Sequence, residues 1–144
     1  MQTGPTHVEH IGFAVRDLDA AIMLYEKLLG TSCYAVEEVG NQKVRTAFFK
    51  VGETKIELLA STAADGPIAK FIEKRGEGIH HIAYAVEGLP SVLRTLEAEG
   101  TQLVDREPRK GAEGMQIAFL HPRSTLGVLT ELCEKAQGSA GSDR

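Results

Sequence analysis

Apolar side chains along this chain follow two rhythms, and the pair of rhythms occurs twice. From Val8 to Val15 the alternation has period two, so His10 shares a strand face with Gly12 and Ala14. The rhythm then lengthens: Ile22, Leu24, Tyr25, Leu28 and Leu29 recur at helical spacing, which predicts an amphipathic helix over 18–29 with one buried face. Asp17 stands where a side chain can cap its first turn, and Gly30 where a left-handed residue can end it. Segments 31–38, 43–51 and 54–60 are rich in Val, Phe, Ile and Thr, and the Gly-Asn and Gly-Glu pairs between them predict antiparallel hairpins. Asp65-Gly66-Pro67 then turns the chain into a short helix over 68–75, after which Gly76 and Gly78 reset it to a strand.

The second half repeats the first. His10-Ile11-Gly12-Phe13-Ala14-Val15 is echoed by His81-Ile82-Ala83-Tyr84-Ala85-Val86 at an offset of 71 residues, and Glu57-Leu58-Leu59 by Glu131-Leu132-Cys133 at an offset of 74. Between these anchors a helix over 89–99, closed by Gly100, and strands at 101–104, 115–121 and 127–133 fill the same roles. Similar offsets at both ends mean a duplicated βαβββ module. The expected fold class is therefore α+β, with two βαβββ modules forming a curved mixed sheet around a central metal-binding cleft. Neither open sheet can bury its inner face alone. The modules, about 7–62 and 78–135, are expected to form one domain over 1–136 with a linker helix at 67–75. The tail 137–144 is Gly, Ser and charge, and is expected to fray.

Composition removes several classes of function. With 144 residues the chain is long enough for one core, and a net charge of -4 supplies no excess of cations for a phosphate backbone, so nucleic acid is not the expected partner. Cys33 and Cys133 are too few for a disulfide scaffold and lack thiolate-zinc spacing; they read as small buried apolar residues of a reduced, cytoplasmic protein. No leader and no apolar run of membrane-spanning length is apparent.

The repeat matters most for chemistry. His10 and His81 occupy equivalent places on faces lined by small residues, and Glu57 and Glu131 sit between apolar neighbours on equivalent strands. A carboxylate in such a place needs a partner, because an unpaired buried charge is costly. Two imidazoles and two carboxylates make a mixed N2O2 set that suits Zn, Mn, Fe, Co or Ni better than calcium and leaves positions open for a substrate. His80 points away from its neighbour's face and is read as structural, while His7 and His121 fall at strand ends or in loops, His121 because Pro122 breaks the ladder beside it.

Over roughly residues 7–135 the chain resembles the vicinal oxygen chelate superfamily, and within it the methylmalonyl-CoA epimerase branch. The resemblance rests on His10 to Val15, on Gly52-Glu53-Thr54-Lys55-Ile56-Glu57-Leu58-Leu59, on Gly78-Ile79-His80-His81-Ile82-Ala83, and on the run from Phe119 through His121-Pro122-Arg123-Ser124 to Glu131-Leu132. It implies one divalent metal ion per chain, Co, Mn, Ni or Zn, held by His10, Glu57, His81 and Glu131. It further implies a cytoplasmic homodimer that interconverts the (R) and (S) forms of an acyl-CoA by proton transfer through an enolate.

The resemblance makes Glu131 one proton-transfer group. Some family members carry a second glutamate in the strand matched here by 43–49, but the aligned place holds Thr46, which cannot act as a base near neutral pH. Glu57 or a water rank ahead of Glu37 and Glu38 for that role. For the CoA phosphates the candidates are Lys70 and Arg75, with Lys74 beside them, and Lys110 and Arg123, with Arg109 nearby. A solvated charged face, as the Lys70 and Glu73 spacing favours, is the plainer reading of these cations.

Three rival readings fit the sequence less well. A glyoxalase I-type lactoylglutathione lyase uses the same ligand order, but the glutathione-site motifs are missing and the Gly111 to Gly114 loop followed by His121-Pro122 looks like the epimerase. A non-catalytic drug-binding protein of this fold would not be expected to retain all four ligands. A ring-cleaving dioxygenase would use two His and one carboxylate, and Glu57 is one ligand too many.

Overall fold

A computed structural model describes residues 4–136. The expected fraying of 137–144 lies outside the described residues. The chain divides into two compact units, His10–His80 and a second that joins the residues up to Glu9 with those from His81 onward.

In the first unit, β1 (His7–Ala14), from His10, pairs in parallel with β4 (Thr54–Ser61), which runs antiparallel to β3 (Val44–Val51), itself antiparallel to β2 (Ala35–Val39). Helix α1 (Leu18–Leu29) packs on one face of this sheet and α2 (Pro67–Arg75) on the far end of the other. Both boundaries of α1 are local: the Asp17 carboxylate accepts from the Ala20 N–H at 3.1 Å, and Gly30, at φ 67°, donates its N–H to Glu26 O.

The inward stripe of α1 differs from the one read from apolar spacing. Leu18, Ala21, Ile22, Tyr25 and Leu29 pack against Ala47, Phe49, Leu58 and Ala60, with Tyr25 set between Phe13 and Phe49 at centroid distances of 5.8 and 6.2 Å. Leu24 and Leu28, expected to be buried, are 57% and 67% exposed. At 3.6 residues per turn they project to the opposite side from Ile22 and Leu29, so the helix is more apolar than its buried stripe requires.

The second unit repeats the plan. β5 (Gly78–Ala85), from His81, pairs in parallel with β8 (Thr130–Lys135), which is antiparallel to β7 (Met115–Leu120), and β6 (Arg109–Lys110) pairs with β7. Helix α3 (Leu89–Ala98) buries Leu89, Val92 and Leu93 against Ala118, Leu120 and Leu132.

Two strands of this unit depart from expectation. The segment 101–104 contributes only a single bridge, Leu103 to Leu120, and the outer partner of β7 is instead the short pair Arg109–Lys110, outside every strand that the apolar pattern predicts. The last strand starts at Thr130 rather than 127 because Leu126 and Gly127 hold φ values of 58° and 89°, incompatible with an extended strand. The other offsets, such as β2 beginning at Ala35 rather than residue 31, fall at strand ends.

Helix α3 begins at Gly88, whose side chain cannot cap it. Glu134 on β8 supplies the cap, its two carboxylate oxygens accepting from the Gly88 and Leu89 N–H groups at 2.7 and 2.9 Å. Glu134→Ala strands both donors, and a loss of about 1–2 kcal/mol is expected in urea unfolding followed by circular dichroism. An unchanged midpoint would mean that water replaces the cap without cost.

Candidate metal and substrate site

Each unit brings together one histidine and one glutamate of the expected four. In the first, the parallel register sets Gly12 beside Glu57, so His10, two residues earlier on β1, and Glu57 share a face. His10 Nδ1 lies 3.3 Å from Glu57 Oε2, with both residues almost fully buried, at 6% and 5% exposure. In the second, Ala83 stands beside Glu131, and His81 Nε2 lies 3.2 Å from Glu131 Oε1, at 6% and 3% exposure. Within each pair an imidazole nitrogen and a carboxylate oxygen are offered within 4.8 Å of each other.

The same register builds matching walls. Phe48 lies directly across from Glu57 and Phe119 directly across from Glu131, and the Phe119 ring meets His81 edge-on at 5.6 Å. Two residues further along, Thr46 faces Leu59 in the first unit where Ile117 faces Cys133 in the second. Gly12, Ala14 and Ala83 are buried beside the pairs, as their alternation predicts, while Ala85 is partly exposed. Each carboxylate thus sits among apolar rings and small side chains, where its charge interacts strongly with any nearby cation.

The donor chemistry fits a divalent ion. Nitrogen and carboxylate oxygen suit the transition divalents, and the burial of each carboxylate requires a compensating positive partner. Among the described residues no buried side-chain nitrogen or oxygen lacks a hydrogen-bond partner, so neither half-site is a packing defect.

The remaining candidates are placed more plainly. Lys70, Arg75, Lys110 and Arg123 are all exposed; Arg75 lies over the Phe71 ring at 5.8 Å, and Lys110 is on β6. Lys74 and Arg109 are exposed too, Arg109 hydrogen-bonded to Asp105 and lying over Phe119. His80 packs edge-on against Phe71 at 4.9 Å, and His121 follows the end of β7, its Nδ1 accepting from the Arg123 N–H at 3.0 Å. Both match their structural reading. Cys133 is fully buried and Cys33 half-buried, both as free thiols.

Two features escaped the sequence reading. Glu9 is buried at 6% exposure beside His10, although a charged residue in a strand ordinarily marks a solvent face. The phenylalanines opposite each glutamate could be found only from strand register, which no repeat offset supplies. A cavity of about 540 Å³ in the first unit, lined by residues including Phe13, Asp17, Tyr25 and Glu77, involves neither His10 nor Glu57. No helix among the described residues is long and apolar enough to cross a membrane.

Comparison with known proteins agrees with this architecture. A model of the glyoxalase/bleomycin resistance protein/dioxygenase superfamily matches residues 9–119. The uncharacterised protein YqjC of Bacillus subtilis (strain 168) is 46% identical over 127 residues, covering 88% of this chain and 91% of its own. An ethylmalonyl-CoA/methylmalonyl-CoA epimerase of Cereibacter sphaeroides is 38% identical, covering 87% of this chain and 95% of its own. Among solved structures, the methylmalonyl-CoA epimerase of Mycobacterium tuberculosis superposes with a TM-score of 0.89 at 37% identity, covering 96% of this chain and 93% of its own. The chain belongs to the glyoxalase/bleomycin resistance protein/dioxygenase superfamily, has the vicinal oxygen chelate fold, and counts methylmalonyl-CoA epimerases among its homologues.

Proposed function

We propose that this protein is a methylmalonyl-CoA epimerase, interconverting the (R) and (S) substrates by 1,1-proton transfer at the carbon between thioester and carboxylate. The observation that carries the reading is the pair of buried His–Glu couples at equivalent register positions of two modules, in a chain homologous to such epimerases. With neutral imidazoles and ionised carboxylates each couple carries one negative charge, so the two together balance one divalent cation.

In this reading His10, Glu57, His81 and Glu131 hold the ion. When bound, it supplies stabilisation of the negative charge that develops on the acyl oxygens as the proton leaves, an effect worth several kcal/mol. The Glu131 carboxylate takes or returns the α-proton on one side of the carbon. Lys70, Arg75, Lys110 and Arg123 are assigned to the CoA phosphates, which fixed cations on exposed elements can meet without desolvation. A homodimer in the cytoplasm completes the reading.

The test is proton exchange. Metal-replete protein is incubated with each epimer in D₂O, and α-deuteration and inversion are followed by NMR. Exchange with inversion, lost on chelation and restored by a divalent ion, is the expected result. No exchange, with turnover of a glutathione hemithioacetal instead, would make the chain a lactoylglutathione lyase.

A further inference from the structure

The epimerase reading places the α-carbon of the substrate against the Glu131 carboxylate. The substrate's own carboxylate is bonded to that carbon, so it enters beside an anion buried at 3% exposure and is repelled unless a fixed cation receives it. Within the second unit, strand register defines which side chains share the face of His81 and Glu131. Phe119 lies directly across from Glu131, Ile117 is two residues back on the same strand, and on β6 the residue directly across from Ile117 is Arg109.

Arg109 is held in place from two sides. Its Nε donates to Asp105 Oδ1 at 3.1 Å, and its guanidinium carbon lies over the Phe119 ring, 5.6 Å from the centroid. Asp105 is itself fastened to β7, its Oδ2 accepting from the Phe119 N–H at 2.9 Å. The same ring meets His81 edge-on at 5.6 Å, so at most two 5.6 Å steps separate the guanidinium carbon from the imidazole centre. With Nε engaged, the two outer nitrogens present the parallel N–H pair that fits a carboxylate, and a fork already fixed loses little freedom on meeting one. The side chain is 42% exposed, so a ligand can reach it. Other cations on this sheet serve less well: Lys110 takes the opposite face of β6, and Lys135, on the same face, is four residues along β8 from Glu131, roughly 13 Å at ordinary strand rise.

Resting on that reading, we infer that Arg109 receives the free carboxylate of the substrate, and so selects thioesters with an acid group on the α-carbon over simple acyl thioesters. Nη1 and Nη2 donate to the two carboxylate oxygens. Asp105 holds the guanidinium at its station over Phe119, and the carboxylate, once paired there, fixes the rotation of the α-carbon in front of Glu131. Arg109 acts by binding and orientation and exchanges no proton itself.

Isobutyryl-CoA, in which a methyl group replaces the carboxylate, isolates that one contact. Calorimetry on the metal-replete full-length protein compares its binding with that of methylmalonyl-CoA, equilibrated between its epimers, for wild type, Arg109→Gln and Arg109→Lys. Arg109→Gln is expected to weaken methylmalonyl-CoA by roughly 10- to 100-fold, as for loss of a charge-assisted pair, and to leave isobutyryl-CoA unchanged. Arg109→Lys, which keeps the charge and loses the planar fork, should recover part of the difference. Equal weakening of both ligands overturns the assignment, because it marks a contact with the CoA portion or a structural role of the pair with Asp105. Unchanged binding of both overturns it too. Proton exchange by the wild type in D₂O reads the reaction separately: if neither epimer exchanges, the epimerase reading falls and the assignment with it, whereas exchange together with an unaltered preference in Arg109→Gln removes Arg109 alone.

Discussion

Glu131→Gln is expected to lose inversion of either epimer, together with exchange of the α-proton that faces Glu131, with rates lower by roughly 10² to 10⁴ for the proton transfer alone. The substitution keeps the shape of a side chain that is 3% exposed and sits across from Phe119, so the sheet around it has no reason to change. What changes is charge. Glutamine cannot accept the α-proton, and His81 loses the anionic partner 3.2 Å from its ring. Metal content, measured by mass spectrometry of the dialysed protein, should fall as well. Full metal with no inversion would assign Glu131 a role as base apart from any role as ligand, and inversion at the wild-type rate would remove it from the reaction.

The second large effect is on stability. Phe49 is fully buried, and its ring meets Tyr25 from α1 across the sheet face. Phe49→Ala removes that contact and leaves a cavity among Leu18, Leu58 and Tyr25, for a loss of about 3–5 kcal/mol. Leu24→Ala is the control: at 57% exposure on the outer side of α1 it should change stability by less than about 0.5 kcal/mol. The chain has no tryptophan, so urea unfolding is best followed by circular dichroism. Comparable losses from the two variants would mean that the stripe read from apolar spacing, and not the packed one, faces the core.

That contrast shows where the sequence was legible. Helix bounds were, because Asp17 and Gly30 act within one turn of the residues they terminate. The helix face was not, because Leu24 and Leu28 are as apolar as the residues that pack, and only tertiary contact tells them apart. The His–Glu couples were legible through the repeat, since equivalent residues on equivalent strands must meet equivalent neighbours. The sheet face taken by Glu37 was not legible. Its parity on β2 relative to Thr46 depends on the hairpin between them, where a 3₁₀ turn at Gly40–Gln42 and a left-handed Lys43 set the register. Arg109–Lys110 as a strand was beyond reach, because two exposed cations carry no period.

In both units the last strand returns to lie parallel to the first, and this closure is what joins each histidine to its glutamate. A half-length ancestor with one module would therefore already have possessed a complete imidazole–carboxylate couple. Doubling such a gene yields two imidazoles and two carboxylates without any new one having to arise. The copies are then free to drift apart wherever the couples are not involved, and the position two residues beyond the phenylalanine wall, threonine in one half and isoleucine in the other, records that drift.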